Sequence, residues 1–311
     1  MTIDLQQVIN SSLSLRFVSL LARRLPPQLG YRIAYTFAEQ IARQRNSGLV
    51  RAIRANHLVA SRETLQGEAL DEAVRATLRY SAHFLFDLYH YNQDFYATRQ
   101  QIVFDSSFDR IAQRFEFERR GLMVAGLHLG NFDLVLQWLS KNRLKPLVLT
   151  IPNPKGGRHV EYAIRKRTGM NLIPTSVGAL RQALRHLQRG GMVLTGIDRP
   201  IDDPEICPRF FGRPAALPVH HIFLALKARV PLVITATYLE PDGKYQVFAS
   251  DPIEMDTYPN AAEAKLRNAE KVLSVAERFI ERSPRQWTVP LPVWPEIVDR
   301  VPSEKGFDSG C

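Results

Sequence analysis

Apolar positions change their spacing once along the chain. Up to about residue 95 they recur at helical intervals. Leu13, Leu15, Phe17, Val18, Leu20 and Leu21 form one set, and Tyr31, Ile33, Ala34, Phe37 and Ile41 a second. Pro26 and Pro27 divide them, so two amphipathic helices are expected there. Asp71 to Tyr91 reads as a long helix with a broad apolar face: Val74, Leu78, Ala82, Leu85, Phe86, Leu88 and Tyr89.

Beyond residue 100, short apolar runs alternate with helical patterns. Strands are expected at Ile102–Phe104, Leu122–Leu127, Pro146–Ile151, Leu172–Pro174 and Met192–Gly196, then at Leu232–Leu239 and Tyr245–Ser250. Helices fall between them at Phe108–Arg119, Phe132–Ser140, Gly157–Thr168, Val177–Arg189 and His220–Ala228, with a last one from about Ala262 to Glu281. This alternation predicts an α/β fold: a mostly parallel central sheet flanked by helices, preceded by N-terminal amphipathic helices. Pro241–Gly243 sits between the last two strands and adds an antiparallel hairpin at the edge. The expected division is residues 1–66 as membrane-docking helices, 67–295 as the α/β domain and 296–311 as a polar tail.

With 45% hydrophobic and 23% charged residues in 311, the composition excludes wholesale disorder and leaves enough chain for a sizeable core. The only cysteines, Cys207 and Cys311, make neither a disulfide framework nor a Cys-based zinc site, so a reducing compartment is the default. The N-terminus does not read as a secretory signal. The most apolar window, Gly121 to Ser140, carries His128 and Asp133 at its centre and does not read as transmembrane.

The net charge of +10 points to an anionic partner. Residues 1–54 hold Arg16, Arg23, Arg24, Arg32, Arg43, Arg45, Arg51 and Arg54 against Asp4 and Glu39. A basic amphipathic segment of this kind either lies on a membrane interface or caps the fold with its arginines in solvent. No aromatic–basic pattern of nucleic-acid binding is present, and nucleic acid is not an expected partner.

The chemistry concentrates at Leu122–Asp133. A strand runs into His128, Gly130 permits a sharp turn, Asn131 caps the next helix, and Asp133 lies in its first turn. Folded back, Asp133 would fix the imidazole tautomer, as an acid beside a catalytic histidine does. The same residues also describe an ordinary helix start. With eight histidines and 31 acidic residues, a His-x4-acid spacing arises by chance, so its place at a strand end is the stronger feature. No G-x-S-x-G elbow and no phosphate-binding P-loop accompany it. A histidine without a Ser or Cys partner suits a base acting on a substrate hydroxyl.

A Pro-rich loop, Asp198 to Pro218, is the second informative stretch. Asp198 ends a strand on the edge expected to carry His128. Arg199, Arg209 and Arg213 suit phosphate contacts, and Phe210 and Phe211 suit an apolar groove wall; alternatively, aromatic side chains merely pin a surface loop. Arg165, Lys166 and Arg167 form a basic helix end. His83, Asp87 and His90 share a helix face at metal-ligand spacing, yet no further ligands accompany them, and they read as packing or surface residues. His220 and His221 open a helix and point in different directions. No metal and no resident cofactor are expected.

Together these pieces resemble the glycerolipid acyltransferase superfamily, with its H-x4-D/E motif. The His128-Leu-Gly-Asn-Phe-Asp133 junction is similar to the bacterial branch, the lipid A late acyltransferases and phosphatidylinositol mannoside acyltransferases. The order of the later pieces agrees: a basic helix end at Arg167 and Gly169, Asp198-Arg199 after a strand, Phe-Phe-Gly-Arg-x-Ala-x-x-Pro from Phe210 to Pro218, and Pro284-x-Gln286-Trp287. The resemblance spans roughly residues 10–290. It implies transfer of an acyl group from acyl-CoA or acyl carrier protein to a lipid hydroxyl. His128 would be the general base, Asp133 its orienting acid, and Asn131 with the backbone at Gly130 the oxyanion or positioning groups. Arg167, Asp198, Arg199, Phe211 and Arg213 would line the substrate. Arg16, Arg23 and Arg24 interrupt the apolar N-terminus, which implies a peripheral protein on the cytoplasmic face of the cell membrane.

Overall fold

The computed structural model describes residues 21–91, 94–141, 144–151 and 158–300. The first expected amphipathic set, residues 13–20, and the polar tail from residue 301 lie outside them. Three N-terminal helices come first: α1 (Pro27–Ala42), α2 (Gly48–Ala60) and α3 (Gly67–Tyr91), followed by a short α4 (Phe95–Gln100). The α/β part then runs β1 (Ile102–Phe104), α5 (Ser106–Glu118), β2 (Leu122–Gly126), α6 (Phe132–Lys141), β3 (Leu147–Thr150), α7 (Arg158–Arg167), β4 (Asn171–Pro174), α8 (Val177–Gln188) and β5 (Met192–Gly196). After the Pro-rich loop come the small strands β6 (Arg209–Phe210) and β7 (Arg213–Pro214), then α9 (His220–Ala228), β8 (Leu232–Leu239), β9 (Tyr245–Ala249), α10 (Ala261–Arg282), a 3-10 turn (Pro284–Gln286) and α11 (Pro295–Val298).

The main sheet has seven strands in the order β1-β9-β8-β2-β5-β3-β4. Five are mutually parallel; β9 pairs antiparallel with β8, and β1 follows β9 in parallel. The hairpin is where the sequence places it, but β1 rather than β9 forms that edge. β2 is central and reads as an uninterrupted apolar run because both its faces are covered. Leu122 and Val124 face one core, with Phe84 and Leu88 of α3, Phe108 of α5 and Leu134 of α6. Met123 and Ala125 face the other, with Ala183 of α8, Leu224 of α9 and Val272 of α10. The result is a three-layer α/β/α arrangement.

Local chemistry places the helix starts. Side chains of Ser47, Asp94, Asp105, Ser176 and Asn260 each accept an N–H from the first turn of the helix that follows. α1 packs on α3 at close range, because a Cβ at Gly30 would lie 2.1 Å from the Phe86 ring. This contact turns Tyr31, Ala34 and Ala38 of α1 toward α3 and leaves Leu29, Ile33 and Phe37 exposed. α2 is integral to the main core through Ala55, Val59 and Ala60.

Candidate active site

Register decides the site. β2 and β5 are adjacent and parallel, with Gly126 opposite Gly196. Each chain leaves the sheet two residues before a polar side chain, so His128 and Asp198 stand level at the carboxyl edge. His128 Nδ1 lies 2.7 Å from Asp198 Oδ1, and the His128 backbone N–H donates to Oδ2 at 2.8 Å. The imidazole lies over Gly196, where a Cβ would come within 3.2 Å of its Cε1.

Asp198 is fully buried and accepts a third bond, from Trp287 Nε1 at 2.9 Å. Burial alone would push its carboxyl up. The His128 and Trp287 donors outweigh burial and hold it below the ordinary carboxylate range. An ionised carboxylate only accepts, so Nδ1 of His128 donates. The Nε2 lone pair is then free on a ring that is one-fifth exposed.

The segment after α10 closes this loop from above. Gly130 N–H donates to Gln286 O at 3.1 Å, and Thr288 N–H donates to His128 O at 2.9 Å. The Gln286 side-chain amide pairs with both backbone groups of Leu239 at the end of β8. Gly130 is required by its backbone: φ is +61°, and a Cβ would fall 2.1 Å from Thr237 O.

The acid that meets His128 therefore differs from the expected one. Asp133 does not fold back to His128. Its carboxylate takes a bidentate pair from Arg165, at 2.9 Å from Nε and 2.7 Å from Nη2, plus a bond from Gln137. The reason is geometric: at the second position of α6 its side chain meets the incoming end of α7, while Asp198 already fills the space beside Nδ1. Asn131 also differs in part. Its Oδ1 caps Leu134 N–H as expected, but its Nδ2 donates to Phe84 O at 3.0 Å and to Tyr245 Oη at 3.4 Å. It is buried and engaged, so its amide is no oxyanion donor, and neither is the Gly130 N–H held by Gln286. Among the described residues, the N–H groups of Phe132 and Asp133 at the head of α6 meet no acceptor.

The substrate-lining expectations separate. Arg167 is exposed, and the neighbour that reaches the motif is Arg165. Arg213 is ion-paired with Glu63. Phe211 is buried, and it lines a small apolar cavity with Ala60, Leu65 and Ile280 whose lining does not include His128. Together with Phe210 it packs on Trp287 and Trp294, underneath Asp198. Phe211 and Gly212 both have positive φ, the requirement of a two-residue turn between β6 and β7. Arg199 is half-buried beside Asp198. His220 Nε2 lies 3.0 Å from Thr195 Oγ1, and no ring nitrogen of buried His221 has a partner. Among the described residues, no cluster of three or more His, Cys, Asp or Glu has the geometry of a metal site. Two residues missed from sequence are Trp287 as the indole donor and Arg165; the first was legible only as a motif letter, the second only as one of three basic neighbours.

A parallel α/β sheet carrying an oriented histidine at its carboxyl edge, beside an open helix head, has the build of an enzyme. Residues 98–295, more than half of the chain, match the family of bacterial lipid A biosynthesis acyltransferases, and the chain belongs to that family. It is an acyltransferase of lipid biosynthesis. Among curated proteins, none matches the sequence. A solved structure with a similar chain course is the 1-acyl-sn-glycerophosphate (LPA) acyltransferase PlsC from Thermotoga maritima: 12% identity and a TM-score of 0.35, covering 80% of this chain and 96% of that one.

Proposed function

We propose that the protein moves a fatty acyl group from the thioester of acyl-CoA or acyl carrier protein to a hydroxyl of a glycolipid or related membrane lipid. The observation that carries this reading is the His128–Asp198 pair with its free Nε2. The lipid hydroxyl gives its proton to Nε2 while its oxygen attacks the thioester carbonyl. Asp198 holds the ring and balances the imidazolium that forms. The N–H groups of Phe132 and Asp133, at the positive end of α6, stabilise the oxyanion. Collapse of the tetrahedral intermediate breaks the C–S bond. The proton on Nε2 passes to the thiolate, which regenerates the base. Each step is complete without a bond between the acyl group and the protein.

Access to a membrane lipid is supplied by α1. Leu29, Ile33 and Phe37 fall at i, i+4 and i+8, so they form one outward row, with Arg24, Arg32 and Arg43 exposed around them. An apolar row rimmed by arginines suits the interface of an anionic leaflet. Among the described residues no helix is long and apolar enough to cross a membrane.

The test is thiol release from palmitoyl-CoA, with and without a panel of membrane lipids, for wild type and His128→Ala. Lipid-stimulated release and labelled lipid product, both absent in the variant, are expected. Equal release without lipid would make the protein a thioester hydrolase instead. An absence of release with palmitoyl-CoA and with palmitoyl-acyl carrier protein would overturn the reading.

A further inference from the structure

A buried polar chain links α3 to the turn that follows His128. Asp87 is 1% exposed. Its Oδ1 accepts from Tyr31 Oη at 2.7 Å and its Oδ2 from Tyr245 Oη at 2.5 Å, with His83 Nε2 3.2 Å from Oδ2. The Tyr245 oxygen in turn faces Asn131 Nδ2, and Asn131 Oδ1 caps the first turn of α6. Asp87 sits on α3, a helix that touches no substrate in the reading above.

A carboxylate in this position is costly. Apolar side chains would pack α3 against β9 without desolvating a charge. Its value lies in direction. Both oxygens of Asp87 serve as acceptors, Oδ1 for the Tyr31 hydroxyl and Oδ2 for the Tyr245 hydroxyl, so Tyr245 donates. The remaining lone pair of the phenol then faces Asn131, which must present its NH2 group there. That leaves Oδ1 of Asn131 for Leu134 N–H. Phe84 O, also from α3, favours the same orientation. Burial and the Asp87 charge push the Tyr245 phenol well above its ordinary value, so it keeps the proton that it donates.

We propose that Asp87 is a positioning residue for acyl transfer: through Tyr245 it orients Asn131 and holds the 128–134 turn that carries His128 and the open head of α6. The inference rests on the reading of His128 as the base. The variants Tyr245→Phe and Asp87→Asn remove the middle and the end of the chain. Tyr35→Phe is the control: among the described residues its hydroxyl meets His83 Nδ1, at 2.7 Å, and no atom of the Asp87–Tyr245–Asn131 path.

Two measurements are made on each full-length, folded variant. Hydrogen exchange of the peptide spanning residues 128–135 is expected to quicken about tenfold in Tyr245→Phe and Asp87→Asn, and not in Tyr35→Phe. In the thiol-release assay, kcat is expected to fall about tenfold with KM unchanged, the pattern of a displaced reacting group. The double variant Asp87→Asn/Tyr245→Phe is expected to lose no more kcat than the worse single one, since both act along one path. Unchanged exchange of the 128–135 peptide in Tyr245→Phe would overturn the proposal. So would an active wild type whose Tyr245→Phe form keeps full kcat, or a double variant whose losses multiply. A wild type without thioester activity but with the expected exchange pattern would sink the acyltransfer mechanism and leave the support of the turn standing.

Discussion

Replacing Asp198 by Asn preserves shape and tests the site through one proton. Asp198 accepts three donors: His128 N–H and Trp287 Nε1 on Oδ2, and His128 Nδ1 on Oδ1. The two donors on Oδ2 have no acceptor capacity, so the Asn carbonyl oxygen must take that position. The Asn NH2 then faces Nδ1, and the imidazole answers by carrying its proton on Nε2. That tautomer offers no lone pair to a hydroxyl. Recovering the productive one requires turning the amide over, which sets its NH2 against both other donors. Two unmade buried bonds cost about 2–6 kcal/mol, which makes the productive form roughly 30- to 10⁴-fold rarer. Loss of the charge that balances the imidazolium adds to this. The expected fall in kcat is about 10³- to 10⁴-fold; the same change to the orienting Asp of a Ser–His–Asp triad costs about 10⁴-fold. The assay is lipid-stimulated thiol release at pH 7.5, with circular dichroism to verify folding. Asp133→Asn, which disturbs the Arg165 pair instead, is expected to lose less activity than Asp198→Asn. If Asp198→Asn stays within tenfold of wild type while Asp133→Asn falls further, the orienting role returns to Asp133 and the reasoning fails.

Gly130→Ala forces a side chain into a left-handed residue and against Thr237 O, so it should destabilise by about 2–4 kcal/mol in urea unfolding and abolish turnover. His57 and His220 are held neutral, both pushed down to about 4 by burial, with the Arg285 charge adding to the effect at His57. Unfolding raises each toward about 6.5, so the unfolded chain binds more protons between these values. Stability is therefore full above pH 6.5 and falls as pH drops toward 4, by up to about 3 kcal/mol per histidine. Urea midpoints at pH 7.5, 6 and 5 measure this, and His57→Gln should flatten the decline. Changing Leu29, Ile33 and Phe37 together to Ser should weaken sedimentation with anionic vesicles more than tenfold, with only a small fall in melting temperature because about half of each side chain is already exposed.

Element order was legible because each signal is local. The apolar run of β2, the 3.6-residue period of α3 and the cap residues act within one element, and the strands and helices expected from β1 to α10 fall within a few residues of their bounds; α2, α4, α11 and the small strands β6 and β7 were not expected. The position of His128 at a strand end was legible for the same reason, as was the need for glycine at 130. Partner choice was not. Asp133 is five residues from His128 in sequence, yet it turns to Arg165; Asp198 is seventy residues away and makes the bond. Phe211 read as a groove wall and does line a small apolar cavity, but its packing on Trp287 and Trp294, which arrive from the far end of the chain, was not legible.

Periodicity, capping and turn chemistry are properties of neighbouring residues, so the sequence by itself determined an α/β protein with a histidine at a strand terminus and a basic, apolar-faced first helix. Which acid meets that histidine, which arginine reaches the motif and which face of α1 stays in solvent depend on strand order and register. Those follow from the packing of β2 beside β5 and of α1 on Phe86, where long-range contacts outweigh local proximity.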